Sequence, residues 1–173
     1  MRRYSAEEIL EARERRVEIY NLLINKYSMP FIVVRVNYPG NEKNNELCNN
    51  IIQVIESVLS YTFADKIHCK SATYGAEGVV QYMVIDEEPL ALKRAAIDIE
   101  EKHILGRCVD IDVFDENGVS ISRSDLGLQP RKCYICENAA HVCVRSARHS
   151  EEEVIRYIKS KYREYKENVY GNL

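Results

Sequence analysis

From Arg107 to Asp115 the chain reads RCVDIDVFD, and Asn117-Gly118 follows almost at once. Apolar and polar residues alternate with period two, which marks a strand with one face in a core. Asn-Gly is a strong short hairpin signal, so VSISR is predicted to return as the next strand. Val109, Ile111 and Val113 are predicted to face that core. Cys108, Asp110, Asp112 and Phe114 are predicted to face the other way. A hairpin of this kind cannot stand alone and needs further strands and a covering layer.

The remaining chain supplies both. Ser5 and Glu8 make a capping box, and Ile9, Leu10, Val17, Tyr20, Leu23 and Ile24 then recur at helical spacing, predicting a helix over 5–27. FIVVRVNY is a β-branched strand broken by Pro39-Gly40-Asn41. Leu47, Ile51, Val54, Ile55, Val58 and Leu59 define a helix over 46–63. Strands are predicted at 67–74 and at VVQYMVID, separated by the Gly75–Gly78 loop. Pro89 opens a helix to about His103. A second capping box, Ser150 with Glu153, starts a last helix to about Asn168. The order α-β-α-β-β-α-β-β-α predicts one α+β domain over 1–173, a mixed β-sheet with helices packed mainly on one face. A Cys/His-rich loop segment at 123–149 lies inside it.

A net charge of −3 argues against a general nucleic-acid binder. No apolar run approaches the ~20 residues of a membrane helix. MRRYSAEEILEARERR has no apolar stretch of a secretory signal, so a cytoplasmic location is expected. Between Arg123 and His149 stand five cations (Arg123, Arg131, Lys132, Arg145, Arg148) and two anions (Asp125, Glu137). A basic segment in an acidic chain suits a phosphate-rich small ligand, and a solvated surface would look the same.

Asp110 and Asp112 share one strand face at a separation of roughly 6–7 Å. Such carboxylates repel unless a proton or cation lies between them, and hard oxygen ligands suit Mg2+, which shares its remaining positions with water and phosphates. Gly106 would admit a ligand close to the backbone, and Arg107 offers a planar fork for phosphate. Two solvated aspartates are the plainer alternative.

Six cysteines in a cytosolic chain argue against a disulfide framework. Cys133-x2-Cys136-x6-Cys143-x5-His149 has the ligand types and short spacings of a structural Cys3His zinc site. Reduced cysteines lining a turn are the alternative, and His141 competes with His149 as fourth ligand. His103 ends a helix just before the Leu-Gly-Arg turn and is a further candidate to face the site; His68 is isolated.

Several ordered motifs, GRCVDIDV, SRSDL, PRKCYIC and CVRSARH, resemble those of the apo-citrate lyase phosphoribosyl-dephospho-CoA transferases, with EARERR, VNYPGNEK, GAEG and PLALKRAAIDIEEKH upstream. Ile104 and Cys108-Val109 depart from the pattern, where a proline and a bulkier apolar pair are expected. The resemblance implies a nucleotidyltransferase-like fold and a transfer reaction. A triphosphoribosyl-dephospho-CoA donor would be joined to a serine of the acyl-carrier (gamma) subunit of citrate lyase, releasing diphosphate. It implies that Asp110 and Asp112 hold Mg2+ and that one of them draws the serine proton. Arg107 would bind the triphosphate, and Glu77 and Asp86 are the two candidates for the third carboxylate that such a site implies. Lys43, Lys93, Arg123, Arg131, Arg145 and Arg148 are the other cations at matching places, each equally suited to a fold ion pair or to acceptor docking. Two other readings are a nucleotidyltransferase with a different acceptor and a non-catalytic zinc-knuckle interaction protein.

Overall fold

A computed structural model describes residues 3–171. Its elements run α1 (Ala6–Tyr27), β1 (Phe31–Val36), α2 (Glu46–Thr62), β2 (Ile67–Gly75), β3 (Gly78–Ile85), α3 (Pro89–Lys102), β4 (Val109–Phe114), β5 (Ser120–Ile121), α4 (Ala140–Arg145) and α5 (Glu151–Tyr170). Both predicted capping boxes form, at Ser5/Glu8 and Ser150/Glu153.

The strands make one open sheet in the order β2-β3-β1-β4-β5, and every pairing is antiparallel. The expected mixed sheet is therefore corrected. The helical crossovers do join parallel-running strands, β1 to β2 through α2 and β3 to β4 through α3. Each crossover skips one position, so the parallel strands never become neighbours. This β-α-β-β-α-β connectivity is the split βαβ arrangement.

Three helices cover one face. Ile32, Val34, Met83, Ile85, Val109, Ile111 and Val113 point there and pack on Ile51, Ile55 and Leu59 of α2, Leu92 and Ala96 of α3, and Ile158 of α5. The other face is covered at one end only. There Leu23, with Ile19, Tyr20 and Ile24 of α1, packs on Phe31, Val33, Val80, Tyr82 and Val84. The Tyr20 ring lies 5.5 Å from Phe31 and 4.8 Å from Phe114, which stack on each other at 4.8 Å. Cys108 does not join Asp110 on this face. It belongs to a 3-10 turn over Gly106–Cys108, where the strand has not yet begun, and it is buried in the main core.

The outer edge of β4 is only partly paired, because β5 meets Val113 and Phe114 alone. Side chains complete it. Glu100 Oε1 accepts from the Ile111 amide at 3.0 Å, and Lys93 Nζ donates to the Ile111 carbonyl at 3.4 Å.

Candidate functional site

The end of the second sheet face that α1 leaves open carries the polar residues of β1 and β4. The register sets Arg35 opposite Asp110 and Val33 opposite Asp112, so Arg35, Asp110 and Asp112 share that face. Asp112 Oδ2 accepts from Arg35 Nη2 at 2.7 Å. Asp110 Oδ1 accepts from Asn37 Nδ2 at 3.0 Å and from Arg131 Nη1 at 2.8 Å. Their second oxygens, Oδ2 of Asp110 and Oδ1 of Asp112, accept no hydrogen bond among the described residues. These oxygens are available to a cation that takes one or two carboxylates and completes its shell from water and phosphate.

Asp110 lines a cleft of about 570 Å³ together with Arg35, Asn37, Lys43, Glu77, Arg131 and Lys132. Its four cations outnumber its two carboxylates; from outside the lining, Asp112 pairs Arg35 at 2.7 Å and Glu137 pairs Lys132 at 2.9 Å, while Glu77 is engaged by Arg16 at 2.9 Å with Arg13 and Arg35 at 3.9 Å. The cleft is therefore suited to a polyanion. Burial, with Arg35 nearby, lowers the Lys43 ammonium below the usual lysine range. Of the two candidates for a third carboxylate, Glu77 lines this cleft, while Asp86 is exposed beside His68, 3.9 Å away.

The other cations disperse. Arg107 donates to the Lys132 carbonyl, and burial depresses its guanidinium. Arg123 is held by Glu100 at 2.8 Å and Glu101 at 2.6 Å. Both line a second cleft of about 660 Å³, which shares Arg131, Lys132 and Tyr134 with the first. Lys93 is buried under α3 at the β4 edge. Arg145 and Arg148 are exposed. Gly106 is crowded by protein, since a Cβ there would overlap the Ile99 carbonyl oxygen, and its own carbonyl accepts from Arg131 Nη2 at 3.1 Å. His103 packs on Tyr165 of α5, with Nδ1 accepting from the Leu105 amide, and burial lowers its pKa. Arg35 and Asn37 escaped the sequence reading. A charge inside the apolar run FIVVRV was the available signal.

Cys133, Cys136, Cys143 and His149 converge, with ligand atoms all within 4.8 Å of one another, and this cluster could hold a metal ion. The Ile135 amide donates to Cys133 Sγ at 3.4 Å and Asn138 Nδ2 to Cys136 Sγ at 3.5 Å. Donation from Asn138, backbone first, lowers the Cys136 thiol, whereas burial raises Cys143. His149 Nε2 is shielded from solvent without a hydrogen-bond partner. A histidine with a ring nitrogen within 4.8 Å of three sulfurs, and a shielded Nε2 without a partner, fits a tetrahedral metal. No described helix is long and apolar enough to cross a membrane.

A family model described as apo-citrate lyase phosphoribosyl-dephospho-CoA transferase matches residues 4–165. The chain is 31% identical over 166 residues to a probable apo-citrate lyase phosphoribosyl-dephospho-CoA transferase of Vibrio cholerae serotype O1, covering 93% of each. It is 30% identical over 154 residues to proteins named apo-citrate lyase phosphoribosyl-dephospho-CoA transferase from Shigella boydii and Escherichia coli, covering 87% of this chain and 84% of theirs.

Proposed function

Because the chain belongs to the apo-citrate lyase phosphoribosyl-dephospho-CoA transferase family, and so is an enzyme, we propose that it joins the triphosphoribosyl-dephospho-CoA donor to a serine of the citrate lyase acyl-carrier (gamma) subunit, releasing diphosphate. The observation that supports this chemistry most directly is the Asp110–Asp112 pair, set on one strand face beside a cleft richer in cations than in carboxylates.

The serine oxygen attacks the α-phosphorus, and the bond to the departing diphosphate breaks. Arg35, Lys43, Arg131 and Lys132 orient the triphosphate and offset its charge. One of the two aspartates accepts the serine proton. Asp110 and Asp112 would hold Mg2+ through their free oxygens; when bound, it neutralises charge on the reacting phosphates. Arg107 and Arg123, across the shared wall, contact the far part of the donor or the acceptor. Lys93 contributes by supporting β4. The nucleotidyltransferase-like character we propose rests on the paired carboxylates of β4, since the strand connectivity is the split βαβ arrangement. We also assign Zn2+ in a structural role to Cys133, Cys136, Cys143 and His149. The location proposed is the cytoplasm, where six unpaired thiols stay reduced.

Intact-mass spectrometry of the apo acyl-carrier subunit tests the reading. With enzyme, donor and Mg2+, the subunit should gain the mass of the donor less diphosphate, and the gain should vanish with EDTA. No gain from folded enzyme would sink it. Gain on a different carrier protein, with none on the citrate lyase subunit, would select the other-acceptor reading.

A further inference from the structure

We propose that the Cys133/Cys136/Cys143/His149 knot, loaded with zinc, is the positioning device of the transfer site. It holds Pro130–Lys132 as a strap whose Arg131 clamps Asp110 and the open edge of β4. The proposal rests on the zinc assignment above and extends it to the reaction.

The segment cannot organise itself by apolar burial. From Ser122 to Ser150 only Cys143 is buried. Its order comes from a tight loop closed by backbone bonds, from Tyr134 stacked on Tyr157 of α5 at 4.6 Å, and from Arg107 donating to the Lys132 carbonyl. The Cys133 amide donates to the Asn138 carbonyl at 2.7 Å, Lys132 bridges Ala139, and the Ala140 amide donates to the Arg131 carbonyl at 2.8 Å. The closing bond therefore falls on Arg131 itself. The sulfurs that would otherwise leave this loop unsupported converge with His149. A metal bound there is folding energy for exactly the residues that lack a core of their own.

Arg131 then reaches out of the strap. Nη1 donates to Asp110 Oδ1 at 2.8 Å and to the Val109 carbonyl at 2.9 Å, and Nη2 to the Gly106 carbonyl at 3.1 Å. Its side chain is 14% exposed, and its buried Nε has no partner. Thus the guanidinium is fixed by the turn and β4 at its tip, and by the strap backbone at its base. If the loop opens, the local concentration of Arg131 at Asp110 falls, and Asn37 alone remains on that carboxylate.

Three measurements test this. Protein loaded with zinc should carry one equivalent, and cobalt in its place should show the ligand-field and sulfur charge-transfer bands of tetrahedral thiolate coordination. No bound metal, or a cobalt spectrum without sulfur ligands, overturns the proposal. Hydrogen exchange then reads the coupling without reference to any reaction. Zinc removal at constant Mg2+ should speed exchange about tenfold in the 103–109 turn as well as in 131–149, the scale of one or two lost hydrogen bonds. Zinc-loaded Arg131→Gln should show the increase at 103–109 alone. Unchanged exchange at 103–109 on zinc loss overturns the coupling, whether or not the protein transfers anything. In the transfer assay, Arg131→Gln should lower kcat about 30-fold in zinc-loaded protein but less than about threefold in Cys143→Ser. Equal losses in both backgrounds overturn it. Should Cys143→Ser fail to fold, reversible zinc stripping of wild type and Arg131→Gln completes the same cycle. Absent transfer by wild type would defeat the transferase reading and leave the exchange result standing.

Discussion

Each aspartate of β4 spends one oxygen on the protein and keeps the other free, which makes the Asp110 side chain sensitive to the loss of a single charge. Asp110→Asn keeps the shape but weakens the bond from Arg131 and removes the charge of a proposed Mg2+ ligand. Transfer should fall at least about 100-fold, while urea unfolding should show a cooperative transition weakened by about 1–3 kcal/mol. A folded, fully active variant would remove Asp110 from the mechanism. Glu100 is a different kind of residue. It is buried and holds the Ile111 amide and Arg123 at once, so Glu100→Ala leaves the amide unmatched and Arg123 with Glu101 alone. The expected loss is about 1–3 kcal/mol of stability, read by denaturant titration. His103 gives a pH signature. Burial lowers its folded pKa, so the unfolded chain binds the proton more readily, and stability present above the ordinary value of 6.5 declines as pH falls below it. Thermal melts of His103→Gln should show a shallower decline between neutral and acid pH than wild type, and an identical slope would contradict this.

Among the elements, α1 joins an aromatic cluster to an ion network. Tyr20 packs on Phe31 and Phe114, while Arg16 on the same helix reaches Glu77 and the Tyr20 hydroxyl. Tyr20→Ala should cost about 3–5 kcal/mol, with a loss of transfer as Arg16 and Glu77 loosen. Equilibrium unfolding and turnover on one preparation would separate the two effects. Most elements were legible, because caps such as Ser150/Glu153 and breaks such as Pro39-Gly40 are local signals; α4, which has no side-chain cap at Ala139, lay inside the segment read as a Cys/His-rich loop. Strand partnership was not. Whether a helical crossover sets its second strand beside the first or one place further along depends on which pairings exclude most water, and residue alternation is silent on that. Cys108 was misplaced for a related reason, since a 3-10 turn before β4 breaks the period that carried the inference. At the candidate site, spacing put Asp110 and Asp112 on one face, a pattern that two solvated aspartates would share. Arg35 and Asn37 became partners only through register across β1 and β4, and nothing local distinguished Glu77 from Asp86.

For the molecule as a whole, the arrangement is a sheet with one heavily covered face and one face divided between aromatic packing and polar chemistry. The two clefts meet at Arg131, Lys132 and Tyr134, so one short strap borders both. The outer edge of β4 adds something further. Exposed backbone at a sheet edge is a template on which another chain can extend the sheet. Here Lys93, Glu100 and Arg131 occupy the amide and carbonyls that β5 leaves open. Three side chains thus occupy an edge that another strand could otherwise extend, and their neutralisation should first be felt as lost colloidal stability, with intermolecular β-structure growing from a still largely folded chain.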